Sequence, residues 1–210
     1  MILISSQSPL AFGGLQCGSE DPDCDDVYSN DNCPNDYNPG QEDYDGDRIG
    51  DVCDSDTPEV ISEDYSGPIS IGPGETVVIT AGTMVDGNIS MDGGELIVEA
   101  GGIINGNISG VDSIIKIEGG STIDGNIQIL VSGAEAVLEI NNAIIDGNIS
   151  SNGINILTMT NTYLTGNISS TGDNTVTITD NDVVKNITIT SPNSCTEYGN
   201  TVGKNNSGCP

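Results

Sequence analysis

From residue 67 onward, apolar and polar residues alternate in short runs that return at a nearly fixed interval. The pairs Val77/Ile79, Leu96/Val98, Ile115/Ile117, Leu138/Ile140, Leu157/Met159 and Val176/Ile178 each stand two residues apart. That is the period of a strand with one buried face. After each pair comes Gly-Asn-Ile-Ser or a close variant, with its asparagine at Asn88, Asn107, Asn126, Asn148, Asn167 and Asn186. The intervals are 19, 19, 22, 19 and 19 residues. Isoleucine follows every one of these asparagines. An aliphatic residue stands three before each: Val85, Ile104, Ile123, Ile145, Leu164 and Val183. Turns such as Ala100-Gly101-Gly102 and Glu118-Gly119-Gly120 separate the runs. A fixed period of about 20 residues with two or three short strands in each predicts a β-solenoid. Each period is then one coil, stacked about 4.8 Å above the last.

Two degenerate copies extend the series. Gly67-Pro68-Ile69-Ser70 precedes the first full copy with proline in the asparagine position, and Lys204-Asn205-Asn206-Ser207 follows the last. Terminal coils should look like this, since a proline cannot donate to a ladder and blunts an edge. The expected fold is all-β: a single-stranded parallel β-solenoid of about 7–8 coils, preceded by a small irregular module stabilised by calcium and disulfides.

Composition agrees with strands and turns. Isoleucine far outnumbers leucine, glycine reaches 28 residues, and there is one phenylalanine and no tryptophan. Lysine and arginine total 4 against 32 acids, a formal net charge of −28. Nothing here could neutralise a phosphate backbone, which excludes a nucleic-acid partner. The chain has no histidine, which removes the Ser-His and Cys-His arrangements of nucleophilic catalysis. No apolar run approaches the ~20 residues of a membrane-spanning helix.

The acids are unevenly placed. Close to half of them fall in residues 18–56, where Arg48 is the only base. The chain therefore divides into an N-terminal strand or arm (1–16), an acidic module (17–57), a linker (58–66) and the solenoid (67–210). Within the module, Asp43, Asp45, Asp47, Asp51 and Asp54 take loop positions 1, 3, 5, 9 and 12, with the Ile49 carbonyl at position 7. Calcium takes six to eight hard oxygens, and this alternation wraps them around one ion. Asp21, Asp23, Asp25 and Asp31 form a second, less regular candidate loop. Without an ion such a charge run would repel and stay disordered. Together with Asn32-Cys33-Pro34, Asn38-Pro39, Gln41 and Asp51-Val52-Cys53-Asp54, the loop resembles a thrombospondin type 3 repeat. The resemblance implies a helix-poor, calcium-wrapped segment with a Cys33–Cys53 disulfide. Arg48 departs from it, at a position where glycine normally supplies a left-handed turn.

Six cysteines allow 15 pairings. The expected bridges are sequential: Cys17–Cys24, Cys33–Cys53 and Cys195–Cys209. Cysteines together with a calcium loop point to an oxidising, extracellular or cell-surface setting. The asparagine column, from Asn88 through Asn186 to Asn205, resembles the asparagine ladder of parallel β-helix proteins such as pectate lyases. The resemblance implies stacked side chains, and Asn107, Asn126 and Asn148 are expected to be buried. The alternative is glycosylation, since all these sites except Asn126 obey N-x-[ST].

Asp124 and Asp146 should sit on adjacent coils, near the ~5 Å spacing of a retaining glycosidase pair. Yet the solenoid offers only Lys116, Lys185 and Lys204 as bases, and only Tyr163 and Tyr198 as sugar platforms. The repeats also loosely resemble bactofilins, polymer-forming β-helices, which implies end-to-end assembly. The expected function is non-enzymatic: an extracellular structural subunit assembling head to tail into a filament or surface layer. A cell-surface adhesion or carbohydrate-binding module is the alternative, and a polysaccharide lyase or hydrolase stands behind both. Self-association would run through the apolar segment Met1-Ile2-Leu3-Ile4, docked on a neighbouring subunit.

Overall fold

The structure, a computed structural model, describes residues 21–28, 30–41, 48–50, 52–54 and 58–209. The chain divides into two compact units, Met1–Pro58 and Glu59–Pro210. Among the described residues the second unit is all strand and turn, with no helix. Its strands form three eight-stranded sheets, and every pairing is parallel. Each coil contributes one strand to each sheet. The eight coils span residues 59–71, 76–92, 95–111, 114–130, 137–152, 156–171, 175–190 and 194–207.

Of residues 58–66, expected to be a linker, all but Pro58 belong to the stack. Glu59–Ile61 and Tyr65–Ser66 are the first two strands of coil 1, pairing with Thr76–Ile79 and Met84–Asp86. Ile61 registers with Ile79, and both Ile61 and Tyr65 pack against the core. Glu59, Glu63 and Asp64 dilute the hydrophobic pattern there, which hid the strands from a reading of apolar alternation.

The core is a set of stacked aliphatic columns. In the first sheet Val77, Leu96, Ile115, Leu138, Leu157 and Val176 face inward in register. The second sheet contributes Val85, Ile104, Ile123, Ile145, Leu164 and Val183. The isoleucines after the ladder asparagines, Ile89 to Ile187, fill the third. Like stacks on like because parallel, in-register pairing puts each residue against its counterpart one coil away. Burying each such side chain contributes about 1.5–3 kcal/mol.

Two corners explain most of the turn residues. Between the second and third sheets, a Cβ on Gly87 would collide with the carbonyl oxygen of Gly67, and the same holds for Gly106, Gly125, Gly147 and Gly166 against the coil below each. After the first-sheet strands, Asn142, Asn161 and Asp180 adopt left-handed φ of 52°, 49° and 57°. Asparagine and aspartate are the non-glycine residues that tolerate this region best.

The 22-residue interval has a local cause. Strands end at Leu130 and resume at Val137, whereas one coil earlier they end at Val111 and resume at Ile114. The added residues form a surface loop tied to Asp112. Its carboxylate accepts the Ser132 amide (2.7 Å), the Ser132 hydroxyl (2.7 Å) and the Gly133 amide (3.2 Å). The Ser132 amide and hydroxyl hold its pKa down to about 2, from an ordinary 3.8. A depressed carboxylate favours the folded loop above its ordinary pKa, and the effect is lost as pH falls through the folded value. The Ser132 and Gly133 amides should therefore stay protected from hydrogen exchange until pH approaches about 2. Asp112→Ala should expose them at neutral pH while core-strand amides keep their protection. Unchanged exchange at both amides would show that the tether is not formed.

Candidate metal centre and asparagine ladders

The first unit is organised by carboxylates accepting backbone donors. Asp21 accepts the Asp25 amide (3.1 Å) and the Asp26 amide (3.3 Å), closing a turn over Cys24. Asp25 accepts the Val27 amide (2.8 Å) and the Asn38 amide (3.4 Å), and Asp31 accepts the Cys33 amide (2.9 Å). The Gln41 side chain bridges these pieces. Its Nε2 donates to Asp31 (3.2 Å) and Asp25 (3.4 Å), and its Oε1 accepts the Asn32 amide (2.9 Å).

These turns bring Asp21, Asp23 and Asp25 together, with one oxygen from each within 4.8 Å of the others. Asp21 and Asp25 are buried. Both carboxylate oxygens of Asp23 are shielded from solvent, and among the described residues no donor reaches them. Burial, then the charge of Asp25 and the neighbouring Asp21 side chain, push the Asp23 pKa up. Orphaned, converging, hard anionic oxygens are the donor set that a divalent cation such as calcium satisfies. Asp31 stands beside this cluster and is joined to it through Gln41.

Of the Asp43 loop, Asp43, Asp45, Asp47 and Asp51 lie outside the described residues, while Ile49 and Asp54 lie within them. Arg48 takes φ 81°, so it adopts the left-handed turn that glycine would have supplied. Gly50 donates to the Asn32 carbonyl (3.0 Å), and its carbonyl accepts the Cys53 and Asp54 amides, each at 2.9 Å. The Cys33–Cys53 disulfide closes this contact with Cα atoms 5.6 Å apart. Cys24 is disulfide-bonded too. Cys17, its expected partner, lies outside the described residues.

The repeat asparagines do form a ladder. The Oδ1 of Asn107 accepts both the backbone amide and the Nδ2 of Asn126, each at 2.9 Å. The pattern recurs from Asn88 to Asn107, from Asn126 to Asn148 and from Asn148 to Asn167. It continues with a side-chain bond from Asn186 to Asn167 and a backbone bond from Asn205 to Asn186. Its placement corrects the expectation of burial: Asn107, Asn126 and Asn148 are exposed. The glycine before each packs its backbone directly on the coil below, which leaves no room inside the corner for a side chain. The isoleucine after each points inward, so the asparagine stands on the outside.

A second ladder is the buried one, and the sequence reading missed it. Asn181 is 2% exposed. Its Oδ1 accepts the Thr162 amide (2.8 Å), and its Nδ2 donates to the Met159 carbonyl and the Asn200 Oδ1, each at 3.0 Å. Asn200 in turn donates to the Ile178 carbonyl (2.8 Å). Ala143, Thr162, Asn181 and Asn200 recur every 19 residues, a column that aligning the residue after each left-handed turn would have revealed. Asp173, fully buried, was also missed. It accepts the hydroxyls of Ser151 and Ser170 and the Ile154 amide. Those serines occupy an inward column filled elsewhere by Met91 and Ile129.

Coil 8 ends the core with polar groups. Cys195 bonds to Cys209, and Glu197, at the register of Ile178, accepts from Asn206 (2.6 Å) and the Cys209 amide (3.2 Å). Asp124 and Asp146 are register partners on the second sheet, both exposed. The Thr165 hydroxyl donates to Asp146 at 2.7 Å.

Comparison with protein-family models, curated proteins and solved structures found no match to this chain. The fold it shows is a parallel β-solenoid of eight coils, and the thrombospondin-like and bactofilin-like features remain likenesses of motif.

The two ladders should separate under mutation. Asn181→Ala should cost about 1–3 kcal/mol, because the buried Thr162 amide and Met159 carbonyl lose their partners. Asn126→Ala should cost less than about 1 kcal/mol, since water reaches the orphaned groups. Denaturant melts showing the reverse order would place the supporting ladder on the outside.

Proposed function

We propose that the protein is an extracellular structural protein, a calcium-stabilised β-solenoid that acts through its surfaces and by self-association rather than by catalysis. The observation that carries this reading is the uninterrupted stack: three parallel sheets run through all eight coils in register. Seven coil spacings of about 4.8 Å make a stiff element of roughly 34 Å. The disulfides Cys33–Cys53 and Cys195–Cys209 support an oxidising compartment, outside the cell or at its surface. Asp124 and Asp146 line an open sheet face, which supports a non-enzymatic reading over a polysaccharide lyase or hydrolase.

Calcium is the proposed resident ion of the first unit, held by Asp21, Asp23 and Asp25 with Asp31 adjoining, and by the Asp43 loop that Asp54 closes. An ion that binds only the folded form adds stability by mass action, about 2.7 kcal/mol at a hundredfold excess over Kd. Calorimetry should show a transition that calcium raises and a chelator lowers, with the solenoid transition unmoved. The double variant Asp23→Asn, Asp25→Asn should weaken that response. Superimposable traces with and without chelator would remove calcium from the account.

Assembly is proposed to run head to tail. Each sheet ends in edge strands, at coil 1 and at coil 8, and edge strands are templates for further pairing. The polar cap of coil 8 means that association uses backbone edges rather than an apolar end. The proposed donor strand, residues 1–8 of the arm, lies outside the described residues. Sedimentation and electron microscopy in calcium should show polymers for the full chain and monomers once residues 1–8 are deleted. A full chain that stays monomeric at high concentration in calcium overturns the assembly.

A carbohydrate-binding role at the cell surface is the second reading, and the outer face of the third sheet favours it.

A further inference from the structure

The strands of the third sheet carry one ionisable side chain among them, the exposed Asp92, in an otherwise acidic chain. Two columns run along the sheet's outer face from coil 2 to coil 8. One is the ladder from Asn88 to Asn205. The other, two residues on, is Ser90, Ser109, Gln128, Ser150, Ser169, Thr188 and Ser207 in register. Neither column contains an ionisable side chain, although the chain's formal net charge is −28. A shallow groove of about 380 Å³ lies along coils 3 to 5 of this face, lined by Asn107, Asn126 and Asn148 on one side and Ser109, Gln128 and Ser150 on the other.

The ladder decides what the groove offers. Along its centre each Oδ1 already accepts two bonds from the next coil, while each Nδ2 spends one of its two hydrogens on the coil below. What is left outward is one amide N–H per coil. Beside it stands a hydroxyl that can donate or accept, or the Gln128 amide. The spacing is about 4.8 Å along the columns and about 6.7 Å between them. A ligand that matches must be uncharged, rich in hydroxyl and ether oxygens, and periodic at the coil spacing. An extended β-linked pyranose chain advances by close to that distance per sugar. Gln128 stands taller than its serine neighbours, so the face suits a single pliable chain better than the flat plane of a crystal.

We propose that this groove binds one chain of a neutral β-linked polysaccharide, lying along the solenoid with about one sugar per coil. It holds no aromatic platform, so each rung is weak and affinity accumulates with chain length through repetition. An acidic polysaccharide is repelled by the surrounding charge. The proposal deepens the second of the two functional readings and stands apart from assembly, which sedimentation of the same preparations reads separately.

The test uses the full chain, in affinity electrophoresis through hydroxyethylcellulose and in pull-down with amorphous cellulose, colloidal chitin and curdlan. Polygalacturonate is the acidic control. Wild type should be retained on at least one neutral glucan or chitin, more strongly as oligomer length grows, and equally with calcium or chelator. The variant Ser109→Asp, Gln128→Glu changes two exposed side chains and should lower retention at least tenfold with an unchanged melt. The isosteric Gln128→Glu alone should lower it severalfold, which keeps the test open should the double variant fold poorly. Thr175→Asp with Thr196→Asp, on the outer face of the first sheet, should bind as wild type. Three outcomes overturn the proposal: no retention on any neutral polymer, retention untouched by the groove variants, and preference for polygalacturonate.

Discussion

The solenoid depends on one close approach. At the corner before the ladder asparagine in coils 2 to 6, a glycine lies so near the carbonyl of the glycine one coil below that no side chain fits between them. This contact, repeated from Gly87 to Gly166, fixes how each coil sits on the last. With that register set, parity does the rest: the next residue but one, always isoleucine, turns inward, and the residues on either side of it turn out. The stacked isoleucines then supply apolar burial, and the asparagines satisfy backbone amides that the tight corner leaves facing outward. A bulkier residue at the glycine would spread the coils and lose both together.

Charge is distributed to suit this architecture. Acids in the stack stand mainly on the outside, where water screens them, and the buried exception, Asp173, receives two serine hydroxyls and a backbone amide. In the first unit the opposite holds. Asp21, Asp23 and Asp25 converge, and burial together with the charge of Asp25 raises the Asp23 pKa, a cost that a divalent cation would relieve.

The fold was legible because its signal is redundant. Any one coil is ambiguous, but the Gly-Asn-Ile interval recurs often enough to give the coil count, the inward columns and the external ladder's membership. What the interval does not encode is direction at the corner, and so the asparagines were expected inside. The buried ladder of Thr162, Asn181 and Asn200 was hidden because its position holds threonine, glycine, serine or alanine in earlier coils, and only a column aligned on the left-handed turn exposes it. The first two strands of coil 1 were lost among acids. In the first unit, the cluster of Asp21, Asp23 and Asp25 was legible from alternation alone. The contribution of Gln41 as a bridge was not, since an amide joining Asp25 to Asp31 leaves no periodic trace.

The loop after Leu130 shows where this architecture accepts novelty. Coil 4 is longer than its neighbours, yet Ile127 and Ile149 still register as Ile108 and Ile127 do. The surplus residues were absorbed at one corner and pinned by a single aspartate on the coil below. A chain of this kind can therefore lengthen by duplicating whole coils and diversify by inserting sequence at this corner, without either change disturbing the other. For protein engineering, Ser132 to Glu135 is a grafting point at which a foreign peptide can be displayed at a fixed height on a repeating scaffold.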